Sequence, residues 1–343
     1  MKVSSVLLIL MMACSLCARP NPSPGCFGAA GEYLYFFNGS DQAYFATEVA
    51  TPAAGESIAI PNNSRYANEQ EWHSGYRAEL IYGFYSIPSQ LQVRGTWIPQ
   101  FSESRTVTKP FLFPAQGQGI IDEALNGSSS PQTFTSISVN NTFSFYAVDA
   151  FYSHSIYRSP CFKLDLKEGV EYSNIGFTEH QTLVIPPNIT HKWNSRSQNI
   201  GPAIALATHL NLWRNLSLEV TGTGSILASR KSASLSFVNP TLATTPFLVS
   251  ASTSLFDDHR WFVIPAYDLR AGLQYMFQIC HFCLNVEIGY EFLSYFRGLE
   301  RISLNDGPNF GQPGDITVSS GLSRNDYFNF AMHGLYAQLG VSF

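Results

Sequence analysis

Pairs of oppositely charged residues two positions apart recur along this sequence: Arg77 with Glu79, Lys163 with Asp165, and Asp268 with Arg270. Arg94, Lys167, Glu171, Glu219, Glu287 and Glu291 join them. A spacing of two puts both members of a pair on one face of a β-strand, because successive side chains point to opposite faces. Two kinds of chemistry fit such a set. Charges lining a water-filled passage would set up a field that tunes which solutes pass. Charges paired with each other would instead satisfy a buried network and fill a narrow barrel. The set holds seven acids and five bases, so any selectivity should be weak and lean towards cations.

Other reactive groups give less. Four of the six cysteines, Cys26, Cys161, Cys280 and Cys283, lie beyond the amino-terminal leader considered below. Cys280-x-x-Cys283 has half the spacing of a zinc site but lacks the second pair that a zinc site requires. A thioredoxin-like centre would need a helix N-terminus in a βαβ setting, which the surrounding pattern does not offer. Export to an oxidising compartment favours disulfides, and intrachain bonds or inert thiols both fit. Asp257-Asp258-His259 is the best candidate for acid–His chemistry, yet a working base must be oriented by a third group. A polar loop tip explains those three residues equally well. No Gly-x-Ser-x-Gly or His-Glu-x-x-His motif occurs. The expectation is therefore a protein that is not an enzyme, with no catalytic, cofactor-binding or metal residues and no cofactor.

The elements that must carry the charges are strands. In residues 325–343 Phe343, Val341, Leu339, Ala337 and Leu335 fall on one face, and Ser342, Gly340, Gln338, Tyr336 and Gly334 on the other. That length exceeds the usual globular strand of about 5–6 residues and suits one that crosses a bilayer at a tilt, which needs about 9–11. The same alternation appears at 31–37, 75–85, 91–101, 143–153, 162–172, 200–212, 216–228, 261–277 and 282–292. Ten strands result, or twelve if 234–238 and 247–252 form a further hairpin. Short connections fall near 86–89, 154–160, 214–215 and 278–281. Long ones fall near 38–74, 102–141, 177–197, 230–259 and 297–324. Short turns on one side and long loops on the other are the layout of an outer-membrane barrel. The fold class is thus all-β, an antiparallel transmembrane β-barrel of about 10–12 strands with short periplasmic turns and long extracellular loops. Tyr76, Trp97, Trp193, Trp261 and Tyr295, near strand ends, are expected in interfacial girdles. All four cysteines fall at or near the periplasmic rim of this topology.

Composition agrees. Charged residues make up 13% of the chain and aromatic residues 14%, against about 25% charged in soluble domains. After the first twenty positions there is no run of about 18 apolar residues, so a transmembrane helix is excluded. A net charge of −5 argues against nucleic acid as a partner. Residues 1–18 read as a signal peptide: Lys2 is followed by an apolar core from Val6 to Met12 and then by small residues. Acylation of Cys14 or Cys17 is the lipoprotein alternative. Residues 19–30 would be a short periplasmic segment and residues 31–343 the barrel.

With its strands laid out, the chain resembles the major outer-membrane protein family of Legionella and Chlamydia-related bacteria, a set of pore-forming barrels. The resemblance rests on EYLYFF after the signal peptide, WFVIPAYDLRAGLQYMF late in the chain, and the HGLYAQLGVSF ending. It implies passive diffusion of small hydrophilic solutes across the outer membrane of a Gram-negative bacterium. A barrel of ten or twelve strands is narrow, however, and side chains can fill it. The alternative is a closed barrel acting as a surface adhesin, antigen or envelope-structural protein. The resemblance further implies outer-membrane lipid and the barrel assembly machinery as partners, with Phe343 as part of the assembly signal, and disulfide-linked neighbours or a homo-oligomer.

Overall fold

Ten long antiparallel strands form a closed ring in the computed structural model. It describes residues 27–39, 46–48, 64–66, 71–84, 89–114, 134–159, 161–184, 189–213, 215–238, 253–254, 258–279, 282–304 and 323–343. The ring strands are β1 (Phe27–Asn38), β2 (Trp72–Gly83), β3 (Ser89–Pro114), β4 (Phe134–Arg158), β5 (Phe162–Val184), β6 (Ile189–Trp213), β7 (Leu216–Val238), β8 (Asp258–Ile279), β9 (Phe282–Leu304) and β10 (Ser323–Ser342). Each pairs with its chain neighbours, and β1 closes the ring by pairing with β10 from Gly28 opposite Ser342 to Asn38 opposite Met332. β10 also pairs with β9. Both edges of the final strand are thus satisfied, as a barrel in lipid requires. No helix among the described residues is long and apolar enough to cross a membrane.

The strand alternation sorts side chains as the sequence predicts. In the lower, periplasmic half, Leu80, Val93, Val170, Ile204, Leu269, Ile288, Leu335 and Leu339 are exposed on the outer surface. Two aromatic belts bound this apolar band. Phe27, Tyr82, Tyr152, Trp213 and Phe343 mark its lower edge, and Tyr35, Trp72, Tyr76, Trp97 and Tyr146 its upper edge. On β1 the band runs from Phe27 to Tyr35, matching the length of a tilted strand in a bilayer of about 25–30 Å.

Several boundaries differ from the sequence expectation, mostly for one reason. β3 has 26 residues and β4 has 25, so much of the stretch expected as the loop 102–141 is wall. Only 115–133 connects the two strands. Likewise β5 and β6 run through most of 177–197, leaving only the four residues 185–188 between them. The outer face of β3 and β4 here is Ser, Thr and Asn, with Ser102 bonded to Thr142 at 2.9 Å, Thr106 to Ser138 at 2.9 Å and Thr108 to Ser136 at 3.3 Å. Such strands stand above the bilayer in water, so neither face needs to be lipid-compatible. The first strand begins at Phe27 rather than at residue 31, because the small residues Gly28, Ala29 and Ala30 pair with the end of β10.

The further hairpin does not add two wall strands. Residues 234–238 are the top of β7, and the two-residue strand Thr253–Ser254 merely pairs back onto it. Residues 247–252 lie outside the described residues, as do the expected signal peptide at 1–18 and the segment 19–26. A small hairpin, Ala46–Glu48 with Ser64–Tyr66, joins the top of β3 and raises the wall above β1 and β2.

Candidate lumen site

The twelve charged residues picked out by spacing all project into the barrel. They occupy its periplasmic half, because the inward positions of each lower strand carry them at similar heights. Near the periplasmic end a cavity of about 240 Å³ is lined by Glu79, Arg94, Lys163, Asp165, Lys167, Glu219, Arg270 and Glu287, together with His209 and Gln338. Lys163 pairs with Asp165 at 2.6 Å, and His209 lies 3.4 Å from Glu219 and 3.8 Å from Asp165. Glu79 and Lys167 make no salt bridge among the described residues.

Above the cavity the charges cross the lumen. Arg77 grips Glu291 with two parallel bonds of 2.5 and 2.6 Å, and also donates to Glu32 at 2.8 Å and to Thr96 at 2.8 Å. Arg94 donates to Asp149 on neighbouring β4 at 2.8 Å and to Asp268 on the far wall at 3.2 Å. Arg270 reaches Glu32 at 2.7 Å and Gln338 at 3.1 Å, with its guanidinium stacked 3.8 Å over the Tyr336 ring. Forked guanidinium–carboxylate bonds are both strong and directional, so the Arg77–Glu291 pair fixes β2 relative to β9, while the single Arg94–Asp268 bond ties opposite walls. Glu171 accepts hydrogen bonds from Ser225 and from Tyr295, the latter at 2.6 Å.

An aromatic layer sits directly above this network. Phe36, Phe143, Phe145, Phe177, Trp193, Tyr295 and Phe330 form one buried cluster, with Phe145 5.5 Å from Phe330 and 5.7 Å from Tyr295. Trp193 and Tyr295 were expected in the girdles. They are instead 4% and 1% exposed, inside the lumen. Trp193 shares the inward phase of Ala203, Ala205 and Ala207 on β6. Tyr295 shares the inward phase of Glu287 and Glu291 on β9, just before a break in that strand. The register with β10 shifts between Tyr295 and Leu299, and Arg297 adopts φ 52° there. The bend carries this stretch across the lumen, where Lys231 of β7 donates to the Arg297 carbonyl and the Glu300 amide donates to Ser195 of β6 at 3.1 Å.

Sequence reasoning missed Glu32, Asp149 and Tyr336 as partners in the network. Each follows the inward phase of its strand, and no residue-type signal marked them as cross-lumen contacts. Of the cysteines, Cys161 is an exposed free thiol at the turn between β4 and β5, and Cys283 lines the periplasmic cavity. Cys26, Cys280 and Asp257 lie outside the described residues, as do the side chains of Asp258 and His259.

A closed antiparallel ring with an apolar outer band between two aromatic belts defines a transmembrane β-barrel of the outer-membrane kind. Residues 27–343, the entire barrel, match the family described as the Legionella pneumophila major outer membrane protein precursor. The chain belongs to that family and resides in the outer membrane of a Gram-negative bacterium. The comparison with curated proteins finds no match. Among solved structures, the outer membrane protease OmpT from Escherichia coli is similar over 96% of this chain and 98% of its own, at 9% identity and a TM-score of 0.45. A Pseudomonas aeruginosa FadL homologue is similar over 94% and 92%, at 8% identity and a TM-score of 0.25. The Pseudomonas putida toluene transporter TodX is similar over 94% and 90%, at 6% identity and a TM-score of 0.29. Likenesses this remote carry nothing about activity.

Proposed function

We propose that this protein is a narrow channel for small hydrophilic solutes, closed at rest where the aromatic layer crosses the lumen. The observation that carries this reading is the charged cavity of about 240 Å³ in the periplasmic half. A barrel serving only as a membrane anchor could fill that space with apolar side chains at lower desolvation cost. Glu79 and Lys167, outside the salt bridges, are the groups left to interact with a passing ion. Passage needs the Tyr295–Leu299 bend to withdraw from the lumen. The ladder to β10 is interrupted at that bend, which hydrogen bonds and aromatic packing hold in its place. We read the protein as not an enzyme, and its family membership is compatible with that.

The test is reconstitution of the folded protein in planar bilayers. Small, infrequent conductance steps are expected from the wild type, and larger or longer ones from Tyr295→Ala. Silence from both proteins would remove the channel reading.

A second reading, a closed barrel with a surface or envelope-structural role, is favoured by the ion pair that ties Arg94 to the far wall at Asp268. On that reading exposed Cys161 is placed to bond a neighbouring molecule in the periplasm. Gels run with and without reductant decide the point, and a monomer in both would reject the cross-link.

A further inference from the structure

We propose that a concave stretch of the outer wall, just above the upper aromatic belt, binds the phosphorylated headgroup of an outer-leaflet glycolipid. The groove has a volume of about 600 Å³ and runs from β3 to β7, with Tyr146, Asn174, Asn194, Arg196 and Ser234 among its lining residues. Its depth is visible at Asn174. This side chain is in the outward phase of β5 yet is only 6% exposed, because Arg196 lies over it and donates to its carbonyl at 3.3 Å. Thr178 donates to Asn194 at 3.0 Å, and Asn194 to Ser234 at 3.4 Å. The floor is therefore an ordered array of neutral hydrogen-bonding groups.

The charge on this face has one sign. Register places Arg196 beside Gly176 and Ser232, Arg230 beside Gln198, and Lys192 beside His180. Three cations thus sit at successive heights on adjacent strands. Among the described residues, outward positions 136–148 of β4, 170–182 of β5, 190–200 of β6 and 226–234 of β7 hold no carboxylate. The chain as a whole carries a net charge of −5, so the patch runs against the overall balance.

Position selects the ligand. Immediately below the cations lie the lipid-facing residues Val148, Tyr172, Ile200 and Ile226, all on the outer surface. A molecule seated here has acyl chains against those residues and its polar head at the level of Arg196 and Arg230. Guanidinium groups recognise phosphate with paired, charge-assisted bonds, and cations at a membrane surface attract anionic lipid. The Asn, Ser and Thr floor offers both donors and acceptors, which can hydrogen-bond the hydroxyls of a sugar beside the phosphate. Those features together select a phosphorylated glycolipid over a simple anion.

The folded, full-length protein in detergent micelles can be titrated with bisphosphorylated lipid A, with the same lipid after phosphate removal, and with inorganic phosphate. The phosphorylated lipid should bind about tenfold more tightly than the dephosphorylated one, as loss of a charge-assisted contact dictates. Arg196→Gln combined with Arg230→Gln should lose about tenfold, while the Lys versions of both retain most of the affinity. Equal binding of the two lipids to the wild type overturns the proposal without any variant. Equal binding by wild type and the double Gln variant also overturns it. Inorganic phosphate binding as tightly as lipid A would reject the glycolipid as the ligand. Both arginines point into water, so unchanged heat-modifiable gel migration is the expected control.

Discussion

Arg94 sits between two carboxylates from different parts of the wall, Asp149 next door and Asp268 across the lumen. Neither acid has another salt-bridge partner among the described residues, and both side chains are less than a tenth exposed. Removing the guanidinium strands two buried negative charges, a loss of about 3–5 kcal/mol by comparison with other broken buried pairs. Arg94→Gln should therefore lower the urea midpoint of the folded barrel. Adding Asp149→Asn and Asp268→Asn should restore part of the loss, and an unchanged midpoint in Arg94→Gln would show that the pairing contributes nothing. A second residue-scale constraint is the space for Tyr336, whose hydroxyl bonds Glu287. A methyl group at Gly272 would meet that hydroxyl and the Glu287 carboxylate. Gly272→Ala should cost about 1–3 kcal/mol through overpacking, and clearly less in a Tyr336→Phe background, as a double-mutant cycle would reveal. The inward phase of the charges was readable from spacing alone. Their partners were not, because spacing along a strand carries no information about which strand lies opposite.

At the scale of elements, legibility follows the solvent. Where a strand faces lipid on one side and charge on the other, as in 75–83 and 282–292, hydropathy alternates and the strand is evident in the sequence. Above the bilayer both environments are less demanding. Ser102, Ser104, Thr106 and Thr108 then face water on β3, opposite inward Glu103 and Val107, and the stretch is indistinguishable from a polar loop. Trp193 was lost the same way, inside a segment read as loop. The bend in β9 was invisible for a different reason: the φ of 52° falls on Arg297, a residue type that rarely adopts it, so nothing at that position marks a break in the strand. Tyr295 holds that bend through its ring and its hydroxyl. Tyr295→Ala should destabilise the barrel by about 3–5 kcal/mol. Tyr295→Phe, which keeps the ring and loses the hydroxyl that bonds Glu171, should cost about 1.5–3 kcal/mol. Thermal melts of the two variants separate packing from hydrogen bonding, and equal losses would mean that the ring contributes little.

At the scale of the whole molecule, closure and charge balance each make a claim. Closure places Tyr33 opposite Ala337 across the seam between the first and last strands. Paired positions in an antiparallel sheet lie within disulfide range, so Tyr33→Cys with Ala337→Cys, in a background free of other cysteines, should cross-link in folded protein. The same pair should fail to cross-link in urea. Failure in the folded protein would deny the ring. Charge balance concerns what passes if the ring opens. The spacing set had seven acids to five bases, and the inward acids Glu32 and Asp149 make the excess larger. Most of these charges are neutralised in pairs, so the field acting on a permeant ion falls to the few outside salt bridges. Glu79 and Lys167 are two such groups, both lining the periplasmic cavity. In a salt gradient across a planar bilayer, the reversal potential should have the sign of weak cation preference. Glu79→Gln should move it towards anions, and Lys167→Gln should deepen the cation preference. If neither substitution moves the potential while conductance persists, ions take a path that avoids this cavity, and the charged layer serves to hold the walls together.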